Sequence, residues 1–352
     1  MTGNEWLGRA CPEPSEKHRA AGEARQAMLT KPPGSLGALE RTAISLAALQ
    51  ATDRPRAEEV QIILFAGDHG VTAQGISAFP SAVTVEMLRN FASGGAAISV
   101  LARELGARLE VVDCGTLATS PIEGVVGDKP CNGTRDFSTE PAMSGDELAF
   151  ALEAGRRAVL RAKERGLDLL ILGEMGIGNT TSAAAVASAL LGRDPATLVG
   201  AGTGLDSEGI RHKADVITRA LDLHGLRHMP LSAADVLAKV GGLEIASLAG
   251  AIVAAAQNRI PILIDGFIVT AAALAATRLN PSCRDWLIYS HVSSERGHRA
   301  ILDAVDAEPI LDLGMRLGEG SGAAVALAVV RLACALHGDM ATFAEAQVSG
   351  SL

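Results

Sequence analysis

Six short apolar runs recur along this chain of 352 residues and constrain its fold more than any other feature. They occupy residues 60–66, 109–113, 167–173, 261–265, 286–290 and 309–313. Because apolar and polar residues do not alternate within them, they are typical of strands buried on both faces, as in a parallel sheet. Amphipathic helical segments such as 145–165 and 207–224 separate the runs. We therefore predict an open, doubly wound α/β sheet, and six strands are too few for a closed eight-stranded barrel.

The two chain ends have a different pattern. Residues 14–28 and 323–337 resemble helices without strand partners, so we expect them to pack together as a small helical subdomain.

The N-terminus lacks the apolar core of a signal peptide. The apolar stretches 245–256 and 266–277 are shorter than the ~18–20 residues that cross a bilayer. We expect a cytoplasmic protein without a membrane span.

Composition argues against two classes of protein. The chain has only ten Phe, Trp and Tyr residues, and 31 basic against 40 acidic residues give a net charge of −9. A nucleic-acid platform needs exposed aromatic side chains and a basic field, so we expect no nucleic-acid partner. The five cysteines have neither CxxC nor Cys/His spacing. Reduced thiols are therefore favoured over disulfides or a zinc site.

Glycine, at 38 residues, is concentrated just after the apolar runs, where open α/β sheets bind ligands. The clearest case is GEMGIGNTT at 173–181, between a predicted strand and an Ala-rich helix. Free amides at a helix start suit a phosphate, with Gly176, Gly178, Asn179 and Thr180 as the contacts. Neither GxxxxGK[ST] nor GxGxxG is present. A turn that needs its glycines only for packing is the alternative.

A second glycine-rich turn, at 199–209, precedes a helix that carries Lys213. Lysine is a mobile point charge, so Lys213 could reach an anion at the neighbouring helix start. A solvated helix face is the alternative for this residue.

Two glutamates lie in apolar, glycine-rich turns after predicted strands. Glu319 is surrounded by glycines in LGEGSG, and Glu174 follows the run at 167–173. Burial would raise the pKa of each carboxyl, which makes either a usable base near neutral pH. The alternative is a structural role in which the carboxylates accept backbone N–H groups.

Histidines also follow predicted strands, in Asp68/His69 and in the pair His291 and His298. No HExxH, GxSxG or metal-ligand spacing accompanies them. We expect buried, hydrogen-bonded histidines and no metal. The roles of Asp68, His69 and Asp265 stay open at this stage.

Six motifs together resemble the nicotinate-nucleotide:dimethylbenzimidazole phosphoribosyltransferase family. They are KPPGSLG at 31–37, AGDHGV at 66–71, GEMGIGNTT at 173–181, GTGLD at 202–206, GGLEIA at 241–246 and LGEGSGA at 317–323. Each motif alone is weak, but six in the expected order over most of the chain are specific.

The resemblance implies an activity and a set of residues. Family members transfer the phosphoribosyl group of nicotinate mononucleotide to 5,6-dimethylbenzimidazole, without a cofactor, in the assembly of cobalamin's lower nucleotide loop. It implies Glu319 as the general base, with inversion at C1′, and Glu174 as a second carboxylate near the ribose. Lys213 and Ser293 would assist the phosphate or ribose. The acceptor base would contact Phe79, Glu86, Met315 and Leu317; many members have Gln where this chain has Glu86.

The resemblance also implies a Rossmann-like parallel sheet with helices on both faces, and a homodimer. It places an α/β domain at 31–322 and a small helical domain at 1–30 with 323–352. Two alternatives remain: a phosphoribosyltransferase for another acceptor base, and a non-catalytic nucleotide-binding protein on the same fold.

Overall fold

The computed structural model describes residues 4–202, 204–227 and 232–349. Thr203, in the predicted turn at 199–209, lies outside the described residues, as do the first and last three residues of the predicted helical domain. Within the described ranges the strands are β1 (Val60–Gly67), β2 (Arg108–Gly115), β3 (Val125–Gly127), β4 (Leu169–Met175), β5 (Ile262–Ile264) and β6 (Leu287–Tyr289).

These strands form one parallel sheet with the order β3-β2-β1-β4-β5-β6. The chain runs outward from β1 to β3 and then returns to the other side of β1 with β4. The strand order therefore reverses between β1 and β4, which is where doubly wound sheets bind ligands. The predicted Rossmann-like α/β fold is confirmed.

One predicted strand is absent from the structure, and one observed strand was not predicted. Residues 309–313 form no strand: only Leu311 bridges to His291, and Pro309 has no N–H to donate to a ladder. The sixth strand is β3, which has three partly exposed residues at the sheet edge. A segment this short carries no periodic signal.

Helices cover both faces of the sheet. They are α1 (Glu16–Met28), α2 (Ala38–Gln50), α3 (Ala82–Ser93), α4 (Ala97–Glu104), α5 (Gly145–Glu164), α6 (Asn179–Leu191), α7 (Pro195–Leu198), α8 (Ser207–Leu223), α9 (Ala233–Val240), α10 (Leu243–Gln257), α11 (Phe267–Leu279), α12 (Arg296–Ala304) and α13 (Ser321–Asp339). The predicted helices at 145–165 and 207–224 correspond to α5 and α8.

Alternate strand residues enter two separate cores. Ile63 and Phe65 of β1 join one core with α5, α6, α10 and α11, whereas Ile62 and Leu64 join the other with α3, α4 and α13. All eight residues of β1 are buried. This explains why the strands appear in the sequence as continuous apolar runs.

The two chain ends meet through α1, α2 and α13. Arg25 donates a hydrogen bond of 2.9 Å to the carbonyl of Gly338, and the side chains of Gln26 and His337 are 2.9 Å apart. Helix α13 also packs against the sheet through Ala323 and Leu327. The division into domains at residues 31 and 323 stays a prediction.

Within the described residues, α13 is the one helix long and apolar enough to cross a membrane by length and composition. It was not recognised from the sequence, where the shorter stretches at 245–256 and 266–277 had been taken as the longest apolar ones. Some 56% of the α13 window is buried inside the protein, as expected for a helix that covers a sheet.

Candidate active site

A cleft of ≈ 320 Å³ lies at the carboxyl edge of the sheet, beyond the ends of β4, β5 and β6. Glu174 comes from the end of β4, Asp265 directly follows β5, and His291 and Ser293 follow β6. The turn before α13 adds Glu319. The parallel topology thus gathers polar residues that are far apart in sequence at one edge.

The backbone around Glu319 explains the glycines of its motif. Gly318, Glu319 and Gly320 have φ values of 89°, 64° and 85°, so three consecutive residues are left-handed. This conformation is costly for a residue with a Cβ, and at Glu319 it holds the carboxylate at the cleft. The turn rests on β4, because a Cβ on Gly173 would overlap the Glu319 carbonyl.

The carboxyl of Glu319 is 6% exposed and lines the cleft. Burial raises its pKa above the usual carboxyl range; the amide of Ile98, which donates to Oε2 over 3.2 Å, opposes that rise, and the charge of Asp265 adds to it. The arrangement provides a carboxylate that binds a proton more readily than one in water.

Glu174 lies against the same turn, since a Cβ on Gly318 would overlap its Oε1. Its Oε2 accepts a hydrogen bond from the amide of Asn179. Burial raises the pKa of Glu174 well above normal, and the charges of Asp265, Glu244 and Glu319 raise it further. The cleft therefore holds several carboxylates that a cationic ligand would stabilise.

Another part of the cleft lining suits an anion, next to Glu174. Gly176, Asn179 and Thr180 line it at the start of α6, whose N-terminus favours negative charge. Gly178, with φ 96°, turns the chain into α6 and packs on Thr72, so it shapes this turn without lining the cleft.

Lys213 of α8 is 2% exposed, and its Nζ donates a hydrogen bond of 2.6 Å to Oγ1 of Thr180. It makes no ion pair within the described part of the chain. Burial lowers the pKa of Lys213 to about 8, although the charge of Glu295 opposes this. A phosphate near Thr180 would give this buried ammonium the anion that it lacks.

Ser293 also lines the cleft. Its amide donates to Nδ1 of His298 over 2.8 Å, and its Oγ accepts from the amide of Glu295 over 3.2 Å. The hydroxyl hydrogen is thereby left for a ligand. His298 is completely buried and also contacts Oγ1 of Thr270 at 2.9 Å.

Of the four residues predicted to contact the acceptor base, the structure brings two to the cleft. Phe79 and Leu317 line its mouth and are 52% and 59% exposed. Glu86 is exposed on α3 and is absent from the lining, where its neighbour Met87 takes part. Met315 is also outside the lining, and its carbonyl accepts a hydrogen bond from Ser294.

Asp265 and His291 were named from the sequence, but neither was assigned a role in the site. Asp265 accepts hydrogen bonds from the amides of Gly320 and Ala323, at 3.2 and 2.9 Å, and so fixes the start of α13. His291 Nδ1 is 3.8 Å from Asp265 Oδ1. Neither residue has a local motif, and a position just after a short strand does not by itself indicate a role.

Across residues 4–202, 204–227 and 232–349, no group of three or more His, Cys, Asp or Glu side chains has an arrangement suited to a metal ion. The five cysteines are all free. Besides carboxylates and hydroxyls, the polar groups that line the cleft include Asn179, His291 and Arg316, with Lys213 behind Thr180.

Comparison with known proteins agrees with this geometry. A family model described as phosphoribosyltransferase matches residues 11–348. Curated nicotinate-nucleotide–dimethylbenzimidazole phosphoribosyltransferases from Bradyrhizobium sp. (strain ORS 278) and Pseudomonas aeruginosa (strain PAO1) are 62% and 57% identical, each match covering 98% of both chains. A crystal structure of the Thermus thermophilus enzyme of that name has a TM-score of 0.90 at 42% identity, covering 96% of this chain and 100% of that one.

Proposed function

Because the chain belongs to the nicotinate-nucleotide–dimethylbenzimidazole phosphoribosyltransferase family, we propose that it transfers 5-phosphoribosyl from nicotinate mononucleotide to 5,6-dimethylbenzimidazole. The products are α-ribazole 5′-phosphate and nicotinate. The reaction contributes the lower nucleotide loop of cobalamin.

One observation carries this proposal: a single cleft is lined both by groups that suit an anion and by carboxylates. Thr180, backed by the buried Lys213, suits the 5′-phosphate, and Glu319 and Glu174 suit a cationic nicotinate ring and a base that must lose a proton. A nucleotide that carries both a phosphate and a pyridinium cation matches both sets of groups at once.

Proton transfer is assigned to Glu319. Its carboxylate takes the N–H proton of the benzimidazole, and the opposite ring nitrogen donates its electron pair to C1′. The C1′–N bond to nicotinate breaks, and its electrons neutralise the ring nitrogen, which is already cationic in the substrate. The leaving group therefore needs no acid. Attack on the face opposite the leaving group inverts the β-glycosidic bond to α.

Glu174 and Asp265 stabilise the positive charge that develops at the ribose. In the free protein burial favours the protonated form of Glu174. A bound pyridinium cation lowers the pKa of a nearby carboxyl, so substrate binding would draw the proton from Glu174. The carboxylate would then face the reacting centre as the bond to nicotinate lengthens.

The chain's other proposed properties follow the family. It acts without a resident cofactor or metal, as a cytoplasmic homodimer that is not embedded in a membrane and binds no nucleic acid. The free cysteines are compatible with a reducing compartment.

The direct test supplies purified protein with nicotinate mononucleotide and one of several bases. We expect rapid formation of α-ribazole 5′-phosphate from dimethylbenzimidazole, with the α-configuration assigned by NMR of the anomeric proton. Equal turnover of adenine would refute the named acceptor. Nucleotide binding without turnover of any base would indicate a non-catalytic binding protein.

A further inference from the structure

A buried network around His69 lies directly beneath the proposed phosphate turn. The ring is bonded on both sides: Nε2 is 2.8 Å from Oε1 of Glu244, and Nδ1 is 2.8 Å from Oγ of Ser182. The side chains of His69 and Glu244 are fully buried, as is Ser182. None of the three lines the cleft, so the network acts on a ligand only through other residues.

Both partners of His69 lie close to the N-terminal ends of helices that begin near this edge of the sheet. Ser182 is the fourth residue of α6, and Glu244 is the second residue of α10. A carboxylate in the first turn of a helix is favoured by the helix dipole. Of the two ring nitrogens, Nε2 is bonded to Glu244 on α10 and Nδ1 to Ser182 on α6. The ring thus ties the starts of α6 and α10 together.

The turn at 176–178 is packed on this ring with no spare space. A Cβ on Gly176 would be 3.3 Å from Nε2 of His69, and one on Gly178 would be 3.3 Å from the His69 Cβ. Gly242, before α10, is closer still, since a Cβ there would overlap Cε1 of the ring. A rotation of the ring would therefore displace the backbone that is proposed to hold the phosphate.

Electrostatics favour a fixed ring. Burial opposes protonation of His69, but the Glu244 carboxylate beside Nε2 and the charge of Asp68 outweigh it and raise the pKa of His69. A protonated ring can keep its hydrogen bonds to Glu244 and Ser182 at the same time. A buried polar group that loses one of two partners must move or stay unsatisfied, and either disturbs its neighbours.

We propose that His69, held between Glu244 and Ser182, is a positioning residue that sets the geometry of the 176–178 turn for the nucleotide's phosphate. This inference rests on the function proposed above. It predicts that the network affects binding of nicotinate mononucleotide and leaves proton transfer by Glu319 almost untouched.

The test measures kcat and both KM values for Ser182→Ala. We expect the KM for nicotinate mononucleotide to rise about three- to tenfold, with kcat and the KM for dimethylbenzimidazole within about twofold of wild type. Ser188→Ala is the matched control, because Ser188 is a buried serine of the same helix whose Oγ has no hydrogen-bond partner among the described residues. The control should have wild-type constants.

A second pair of variants separates hydrogen bonding from packing. Glu244→Gln keeps an oxygen that accepts the proton of Nε2, and we expect its KM for the nucleotide to stay within about threefold of wild type. Glu244→Ala removes the acceptor and should raise that KM at least about tenfold. Thermal unfolding of each variant establishes that the fold is intact.

Two failures can be distinguished. If wild-type protein forms no α-ribazole 5′-phosphate, the proposed function is wrong. If the wild type turns over and Ser182→Ala has the same nucleotide KM as Ser188→Ala, the positioning role of His69 is wrong. Equal effects of Ser182→Ala on both substrates would also overturn it.

Discussion

The backbone amide of Ile98 donates a hydrogen bond of 3.2 Å to Oε2 of Glu319, although the two residues are 221 positions apart. Ile98 is in the first turn of α4, where the helix dipole favours a negative charge. One carboxylate oxygen is therefore held by the protein. We assign the proton transfer to the other oxygen, Oε1.

Replacing this carboxylate tests the assignment. Glu319→Gln keeps the size of the side chain and an oxygen for the Ile98 amide, but it removes the base. We expect kcat to fall at least about 10²-fold. The Kd for nicotinate mononucleotide, measured by calorimetry, should change little.

Glu104→Gln is a suitable control for this experiment, since Glu104 is an exposed carboxylate at the end of α4. It should have wild-type kinetics. Turnover by Glu319→Gln at the wild-type rate would rule out Glu319 as the base.

The pH dependence of kcat should reflect the raised pKa of Glu319. The base must be deprotonated, so kcat falls as pH is lowered through its pKa, and burial puts this limb above the ordinary value of 4.5. The negative charge of Asp265 also raises the pKa of Glu319. Asp265→Asn removes the charge but keeps only one oxygen for the two amides of Gly320 and Ala323, so kcat should fall while the acidic limb moves to lower pH. A limb that moves to higher pH would contradict this.

The candidate site residues that the sequence singled out are those with a local signature. Glu319 and Glu174 are each flanked by glycines after a predicted strand, and the turn at 176–180 has the pattern of an anion-binding helix start. These features depend on backbone conformation, which neighbouring residues determine. The sheet was predictable for a similar reason, because burial on both faces leaves a continuous apolar run.

The residues whose roles the sequence left open depend on contacts across the fold. Asp265 caps α13 through an amide 55 residues away, and His69 meets partners 113 and 175 residues away. No local pattern encodes such pairs. The error at 309–313 is different: the run is apolar enough for a strand, but Pro309 has no N–H to donate to a ladder, and within the run only Leu311 forms a bridge, to His291.

Lys213 should make nucleotide binding sensitive to alkaline pH. Burial lowers its pKa to about 8, so the free ammonium loses its charge above that pH and the phosphate loses a cation. We expect the KM for the nucleotide to rise above about pH 8. Lys213→Ala should raise that KM at neutral pH and flatten its alkaline rise. An unchanged KM in Lys213→Ala would remove this residue from the phosphate site.

Glu174→Gln should stabilise the free protein while it lowers activity. Burial raises the pKa of Glu174, so the folded state binds a proton more tightly than the unfolded chain. Stability is then present below the unfolded pKa and is lost as pH rises towards the folded pKa. Glutamine does not titrate and so avoids this loss of stability. At pH 8 we therefore expect the Tm of Glu174→Gln to be about 1–3 °C above that of wild type. The increase should vanish near pH 4, and a lower Tm at pH 8 would contradict the argument.

Gly173 should be essential for activity although it touches no substrate in the proposed mechanism. A Cβ there would overlap the carbonyl carbon and oxygen of Glu319, so Gly173→Ala must displace the left-handed turn that holds the base. Gly127 in β3 is the matched control, since a Cβ there meets nothing within 4 Å. We expect kcat to fall at least about tenfold in Gly173→Ala and to be unchanged in Gly127→Ala. Equal kcat values in the two folded variants would mean that the position of Glu319 does not depend on its contact with β4.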